Sequence, residues 1–407
     1  MRNDEQERVV VTGVGAISSI GAGREVFWRQ LLAGRSGVSP IVSCDTTGYE
    51  VRIGGEVRDF NPGDYIRRYP ADRYGRASQL GIAATQWALR DAGLGSQSLA
   101  DRRMSVCIGT TMGECQVVEA AVRARAQHGS YQFTAPEIRR APENVLALNI
   151  ARELALEARC MVFPNACAAG NYAIGSGFDQ IQQGDADMVL AGGCDAFSMV
   201  ALTGFGRMLA LSPDRCRPFD KNRQGIVVGE GAGVLVLESL ARARQRHARI
   251  HAEVLGYGLS CDASHMTIPH LPGVVAVMRK ALQQSQVEPG DISLISAHGT
   301  GTKINDKTEC EAIRQCFGSQ AEIIPVFSIK SMLGHTMGAA SAFEAIACVL
   351  AIAEGKIPPT INYETPDEEC PVDCVPNHYR EARIQVALNN SFAFGGNNAA
   401  TVFGRFS

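Results

Sequence analysis

The sequence predicts an α/β protein built on central sheets, and three observations carry that prediction. Short apolar runs of strand length alternate with helix-length segments along the whole chain. Many runs end in glycine-rich turns (Gly192-Gly193, Gly229 to Gly233, Gly299 to Gly301, Gly395-Gly396), drawn from 42 glycines, where the backbone must bend sharply or be approached closely. The order of strands, Gly-rich turns and small-residue helices recurs in the second half, which predicts a duplicated fold although no literal repeat is visible. The 407 residues suffice for two or three domain-sized units with a large core.

In chain order, Val9-Val10-Val11-Thr12-Gly13-Val14-Gly15 reads as a first buried strand ending in a tight turn. It is not a dinucleotide fingerprint, because Ser18 stands where a third glycine is needed and no acidic residue follows at ribose distance. Residues 54–76 are loop-like and end in Arg67, Arg68, Arg73 and Arg76 among tyrosines. A helix is expected over 79–92, a strand over 105–109 running into Thr110-Thr111-Met112-Gly113, and a helix over 144–156. The apolar run 160–163 is a strand stopped by Pro164. Asn165 and Ala166 turn the chain, and Cys167 begins a helix that runs to about Gln183, with Gly184 as its stop. A strand over 187–193, a turn-rich stretch from Arg217 to Gly233 and a strand over 234–237 follow. The basic helical segment 239–247 marks the boundary between halves 1–250 and 251–407.

The second half restarts with a strand over 252–259, a helix over 274–285 and a Pro289-Gly290 turn. A strand over 292–297 delivers His298-Gly299-Thr300-Gly301-Thr302. A helix over 306–316 and a strand over 323–327 precede Lys330-Ser331-Met332-Leu333-Gly334-His335 and a small-residue helix ending near Gly355. A strand over 384–388 runs into Asn389 to Asn398, and 400–403 closes the chain.

Composition narrows the function. Hydrophobic content of 45% and charged content of 20% describe an ordinary globular protein, and a net charge of −3 gives no general nucleic-acid surface. No signal-like N-terminus and no uninterrupted membrane-length apolar run are visible, so a cytoplasmic protein without a membrane partner is expected. The 13 cysteines are odd in number and scattered, as free thiols in a reducing compartment are. Cys370 and Cys374 are the one close pair outside apolar strands. They lack a second Cys/His pair at zinc spacing, so no metal site is expected.

Cys167 carries the chemistry. A thiol at a helix N-terminus faces unpaired backbone N–H groups and the positive end of the helix dipole. The next residues, Ala168-Ala169-Gly170, let neighbours approach closely, the layout of a nucleophile elbow with sulfur in place of oxygen. A lone Cys beside Ala and Gly is more commonly a small core residue, but three further pieces stand at strand-to-loop junctions. These are His298, His335 in a glycine-flanked turn after Lys330, and the loop Phe394-Gly395-Gly396. Together they supply a nucleophile, two imidazoles, a cation and a Gly-rich loop.

In this order and spacing, with Arg217-Pro218-Phe219-Asp220 and Gly229-Glu230-Gly231-Ala232-Gly233, the chain resembles the elongating β-ketoacyl-acyl carrier protein synthases of fatty acid and polyketide assembly over nearly its full length. The resemblance implies the thiolase fold, two α/β halves in five layers working as a dimer. It implies that Cys167 takes the acyl chain as a thioester. His298 and His335 would stabilise the enolate left when malonyl thioester loses CO₂, a donor of this kind being worth roughly 2.7–4 kcal/mol. The backbone N–H groups of Cys167 and Phe394 would form the oxyanion hole. Lys330, with Glu309 as its expected partner, would hold the polar network. Thr300 and Thr302 would bind the pantetheine arm. Phe394 would gate Cys167, Met112 would limit acyl length, and Arg67, Arg68 and Arg73 would dock an acidic carrier protein. No cofactor is implied, since the substrates ride on the carrier's phosphopantetheine.

The chain departs from the resemblance at Asn165, where Thr is usual, and at Asn397, also a frequent Thr. The segment Gly299-Thr300-Gly301-Thr302-Lys303-Ile304-Asn305-Asp306 is closer to polyketide-type enzymes. These features favour a type II polyketide-like pathway over housekeeping fatty acid elongation. A thiolase would need a second catalytic Cys in the last Gly-rich loop, and an initiating synthase would pair Cys with His and Asn. A partner subunit that only sets chain length would have lost Cys167. The expected assembly is a homodimer or a heterodimer with such a chain-length partner.

Overall fold

The structure, a computed structural model, describes residues 7–95 and 103–407. Ten main strands carry it: β1 (Val9–Ser18), β2 (Met104–Thr110), β3 (Ala158–Pro164), β4 (Met188–Asp195), β5 (Gly231–Ser239), β6 (Ala252–Cys261), β7 (Leu294–Ser296), β8 (Val326–Phe327), β9 (Val386–Ser391) and β10 (Asn397–Gly404). They lie in the order β8-β7-β9-β10-β6-β1-β5-β4-β2-β3.

This order is a duplication. From the centre outwards each set of five runs first, fifth, fourth, second, third strand of its half. The pairings match too. β1–β5 and β5–β4 are antiparallel, then β4–β2 and β2–β3 parallel. β6–β10 and β10–β9 are antiparallel, then β9–β7 and β7–β8 parallel. The sets meet where Val9, Val10 and Val11 pair with Val254, Glu253 and Ala252. Because β1 is antiparallel to both neighbours, the βαβ geometry of a dinucleotide site is absent at its end.

Side-chain alternation builds the layers. Cys107, Val189, Ala191, Leu235 and Leu237 point into a middle core with Ile174, Phe178 and Ile181 of the helix Ala169–Gln182 and with Phe343 to Ile352 of the helix Ala340–Glu354. Their strand neighbours Val106, Ile108, Met188, Leu190, Val234 and Val236 point the other way, against the helices Arg76–Asp91 and Val145–Glu153. In the second set Leu294, Phe327, Ala387 and Phe403 join the middle core. Ile295, Val326, Leu388 and Val402 face the helices Leu271–Ser285 and Lys303–Phe317. The five layers are helices, sheet, helices, sheet, helices. Residues Met337–Glu354 are long and apolar enough to cross a membrane by composition alone, yet they are buried as a middle-layer element.

Candidate active site

The nucleophile elbow forms where β3 ends. Pro164 closes the strand and Asn165 takes φ −130°. Ala166 is forced to φ +46°, a left-handed conformation costing an L-residue roughly 1–2 kcal/mol. Cys167 sits in the 3-10 turn Ala166–Ala168, and the α-helix proper begins at Ala169, two residues later than expected. Gly170 is required here, since a Cβ on it would stand 2.8 Å from Ala342 N and Ser341 Oγ of the neighbouring middle helix. Polar bonds lock the elbow to the second half. Asn171 N donates to Ser341 Oγ at 3.0 Å, Asn171 Nδ2 to Asn389 O at 3.1 Å, and Ser391 Oγ to the Cys167 carbonyl at 3.0 Å. Asn165 is half-buried with its side chain against the Tyr172 hydroxyl.

His298, just past β7, and His335, just past the short helix Lys330–Leu333, converge on this thiol. Cys167 Sγ and one ring nitrogen of each histidine lie within 4.8 Å of one another, all three residues buried. The rings meet edge to face at 5.6 Å, and Phe392 closes on His298 at 5.7 Å.

Hydrogen bonding fixes where each ring hydrogen sits. His335 Nδ1 accepts from Met337 N at 3.1 Å. Lys330 Nζ lies 3.4 Å from His298 Nδ1, donates to His298 O at 2.6 Å and pairs with Glu344 Oε1. An ammonium has three hydrogens, and all three are committed. Backbone N–H and ammonium groups can only donate, so both Nδ1 atoms are acceptors, and each neutral ring carries its hydrogen on Nε2. The rings are neutral, because burial holds both pKa values well below 6.5 and the Lys330 charge pushes in the same direction. Three donors this close have the spacing of a metal site, but each Nδ1 lone pair is already taken by a donor and each Nε2 bears hydrogen, so neither ring offers a free lone pair to an ion.

Glu309 does not pair with Lys330 as expected. It accepts from the backbone N–H groups of His298 and Gly299, each at 2.8 Å, and so sets the start of the His298 loop. The carboxylate on Lys330 is Glu344, from the middle helix. Burial holds both carboxyls up at about 7, opposed by the two backbone N–H bonds at Glu309 and by the Lys330 charge at Glu344. Burial also pushes the Cys167 thiol up to about 12 against the pull of Lys330. The resting site is thus a protonated thiol beside two neutral imidazoles, and not the standing thiolate that a helix terminus alone suggests.

A cavity of about 490 Å³ opens onto Cys167, His298 and His335. Thr300 and Thr302 line it, their hydroxyls 2.9 Å apart. Phe394 lines it too, in a loop with Gly395 at φ +81° and Gly396 at φ +77°, its ring 5.5 Å from Phe205. Two expected groups lie elsewhere. Met112 is absent from this wall; its N–H bonds Asp195 at 2.8 Å and its side chain packs in the cluster of Ala201, Leu202, Ile226 and Met337. Arg67, Arg68 and Arg73 are exposed but off the cavity, on the loop that Glu153 holds by accepting from Arg67 N and Arg68 N at 2.7 Å. The apolar wall of Phe205, Met208, Leu209, Ile226, Met266 and Ile268 escaped the sequence reading, as did Glu344.

A family model described as "Beta-ketoacyl synthase, N-terminal domain" matches residues 6–243, and "Beta-ketoacyl synthase, C-terminal domain" matches 251–364. Nodulation protein E of Rhizobium sp. (strain N33) is 40% identical over 399 residues, 97% of this chain and 98% of that one. The 3-oxoacyl-[acyl-carrier-protein] synthase 2 of Synechocystis sp. is 40% identical over 415 residues, covering both chains fully (100% and 100%). Among solved structures, "The ishigamide ketosynthase/chain length factor" superposes with a TM-score of 0.96 at 48% identity, over 99% of this chain and 100% of that one. The complex titled "AntDE:AntF (apo): type II PKS acyl-carrier protein in complex with its ketosynthase bound to the hexaketide" does so at 0.90 and 31%, over 98% and 100%. The architecture is the thiolase fold of these enzymes.

Proposed function

The chain belongs to the β-ketoacyl synthase family, and from that premise we propose how its site performs a decarboxylative Claisen condensation. The observation that carries the reading is the convergence of Cys167 with two neutral imidazoles whose ring hydrogens are fixed on Nε2.

In the first step the Cys167 sulfur attacks the thioester carbonyl of an acyl group borne on a carrier protein's phosphopantetheine. The C–S bond to pantetheine breaks, and the thiol proton leaves with the pantetheine sulfur. A malonyl thioester then enters and loses CO₂, its electron pair passing onto the thioester oxygen as an enolate. His298 and His335 donate to that oxygen from Nε2, each donor worth roughly 2.7–4 kcal/mol where charge develops. The enolate carbon attacks the acyl-Cys167 carbonyl, whose oxyanion is held by the backbone N–H groups of Cys167 and Phe394. Collapse releases the β-ketoacyl chain on the carrier, and the Cys167 sulfur regains a proton. Thr300 and Thr302 hold the arm, Phe394 gates the thiol, and Lys330 keeps the rings neutral and oriented. No metal takes part, so a chelator leaves the turnover rate unchanged, and its loss would overturn that statement.

The pathway we favour is a type II polyketide-like one, supported by the 48% identity to the ishigamide structure and by the sequence from Gly299 to Asp306. Fatty acid elongation is the second reading, favoured by the full-length match to the cyanobacterial synthase. A purely binding, chain-length-setting role is disfavoured by the intact Cys167 set. The partners are an acyl carrier protein and a second ketosynthase-fold chain, either a copy or a chain-length subunit. β3 ends the sheet with half-exposed Met161, Val162 and Phe163 and no outer strand among the described residues, an edge suited to pairing.

Incubation with acyl-carrier protein, followed by peptide mass spectrometry, should place the acyl mass on the Cys167 peptide; acylation elsewhere would overturn the reading. His298→Ala should impair condensation more than acyl transfer, and equal loss of both would refute the division of labour.

A further inference from the structure

Arg223 is among the largest fully buried side chains, and no step above uses it. It follows Phe219, whose backbone is left-handed at φ +66°, in the turn-rich segment before β5. Its guanidinium is spent on one loop and its flanks. Nε donates to Thr302 O at 3.3 Å, Nη2 to Lys303 O at 3.2 Å and Nη1 to Asp220 O at 2.9 Å. Nη1 also pairs with Asp367, and Asp306 Oδ2 stands 3.7 Å from Nε.

Asp306, itself fully buried, grips the same loop from the opposite polarity. It accepts from Gly301 N at 3.2 Å, Thr300 Oγ1 at 3.5 Å and Phe219 N at 2.9 Å. The cation therefore takes the loop's carbonyls and the anion takes its N–H and hydroxyl groups. Thr300 and Thr302 are held between them, and Arg223 also lines the cavity. A planar fork with five donors can serve these diverging acceptors at once; an ammonium on a flexible stem cannot.

We propose that Arg223 is a positioning residue for the phosphopantetheine arm: the Arg223–Asp306–Asp367 cluster fixes the Thr300 and Thr302 hydroxyls at the spacing that the arm's amides read. The inference rests on the proposed role of the two threonines. Positional errors of about 1 Å at such contacts cost up to about 100-fold in rate.

The test compares Cys167 acylation, followed by mass spectrometry, from two donors of the same acyl group: a full acyl-pantetheine, and an acyl-N-acetylcysteamine thioester that lacks the outer arm. Arg223→Lys should lower kcat/KM for the pantetheine donor about tenfold, mostly through KM, and change the short donor less than threefold. Asp367→Asn, at the cluster's outer edge, should give the same split more weakly, and serves if Arg223→Lys does not fold. Equal loss with both donors would mean a merely structural role and overturn the proposal. Thr300→Val and Thr302→Val separate the layers. If they discriminate between donors and the cluster variants do not, the Arg223 proposal falls alone. If none discriminates while Cys167 still acylates, the threonine assignment falls with it. No acylation of unmodified protein by either donor would sink the ketosynthase reading itself.

Discussion

Lys330 and Glu344 are a buried ion pair beside the reacting atoms, 2% and 1% exposed, and replacing one or both tests what the pair does. Lys330→Met strands the Glu344 carboxyl. Breaking a buried pair by removing one partner costs about 3–5 kcal/mol, whereas replacing both with apolar groups is often neutral. The single loss depends on pH. Burial already holds Glu344 at about 7, and without the opposing Lys330 charge its folded-state value climbs further. A carboxyl whose folded pKa exceeds its unfolded value loses stability as pH rises through that window. Lys330→Met is therefore expected to cost little near pH 5, where Glu344 keeps its proton, and to approach about 3–5 kcal/mol by pH 8. The double variant Lys330→Met/Glu344→Leu should recover most of the loss at every pH.

Activity should not recover with it. At 3.4 Å the Lys330–His298 contact is a long hydrogen bond, so the low end of the charge-assisted range applies, about 1.5 kcal/mol. That is about a tenfold preference for hydrogen on Nε2. Both variants lose it, so the form with hydrogen on Nε2 falls from about nine-tenths of the rings to about half, and malonyl decarboxylation should fall about twofold in each. Urea unfolding at pH 5 and pH 8, with labelled CO₂ release from malonyl-carrier protein, reads both quantities. A double variant that decarboxylates at the unmodified rate would refute the role assigned to Lys330, and one as unstable as the single would refute the pairing argument.

Three further outcomes are expected. Asp195 accepts from Thr110 Oγ1 and Met112 N on one oxygen and from Thr111 N and Gly338 N on the other. Asp195→Asn must orphan one set, at roughly 1–3 kcal/mol per group; burial pushes the Asp195 carboxyl up to about 6, so urea titrations of the unmodified chain should show a stability loss as pH rises from 3.8 to about 6, and the variant should lack it. Both histidines have folded pKa values well below 6.5, so their stabilising contribution holds above pH 6.5 and fades below it, where the unfolded state takes protons first; His335→Gln should flatten the acid-side slope by up to about 1.4 kcal/mol per pH unit relative to the unmodified chain. In Gly109→Ala the new Cβ would lie 2.3 Å from the Ala169 carbonyl carbon, a backbone atom at the start of the Cys167 helix; soluble yield and Cys167 acylation should both collapse, and normal acylation would show that the strand–helix contact is looser than described.

Much of the fold was legible because strand and helix patterns were strong where both faces are buried. The expected strand at 105–109 is Met104–Thr110, and the expected helix at 306–316 is Lys303–Phe317. The helix Cys115–His128 left no such trace, since Ala121 alone is buried along it and no apolar face marks the period. Met199–Arg207 carries Gly204 and Gly206, which read as loop. At the site, Cys167, His298, His335 and Lys330 stood out because they sit where strands end. Glu344 did not, although it is the one charged residue in the stretch from Ala340 to Ala353, which signalled a buried partner. Glu309 was given the wrong partner because sequence order holds no distance, and two backbone N–H groups lay closer than the ammonium.

The duplicated topology explains why one half supplies sulfur and the other imidazole. After the third strand of each half the chain makes the same elbow: Ala166–Ala168 with Ala166 at φ +46°, and Met337–Ala339 with Met337 at φ +53°, each followed by a middle-layer helix. Each elbow is braced by the last residue of the other half's fourth strand. Ser391 of β9 holds the Cys167 carbonyl at 3.0 Å, and Asp195 of β4 holds Gly338 N at 2.6 Å. Cys167 and Gly338 occupy the same central position. A Cβ at Gly338 would stand 2.5 Å from the Thr110 carbonyl carbon, so the second elbow has no room for a side chain, let alone a nucleophile. Its Met337 N–H instead sets the ring of His335, two residues upstream, against the thiol of the first elbow. The pseudo-symmetric fold brings two equivalent turns together, and packing at Gly338 makes their chemistry unequal.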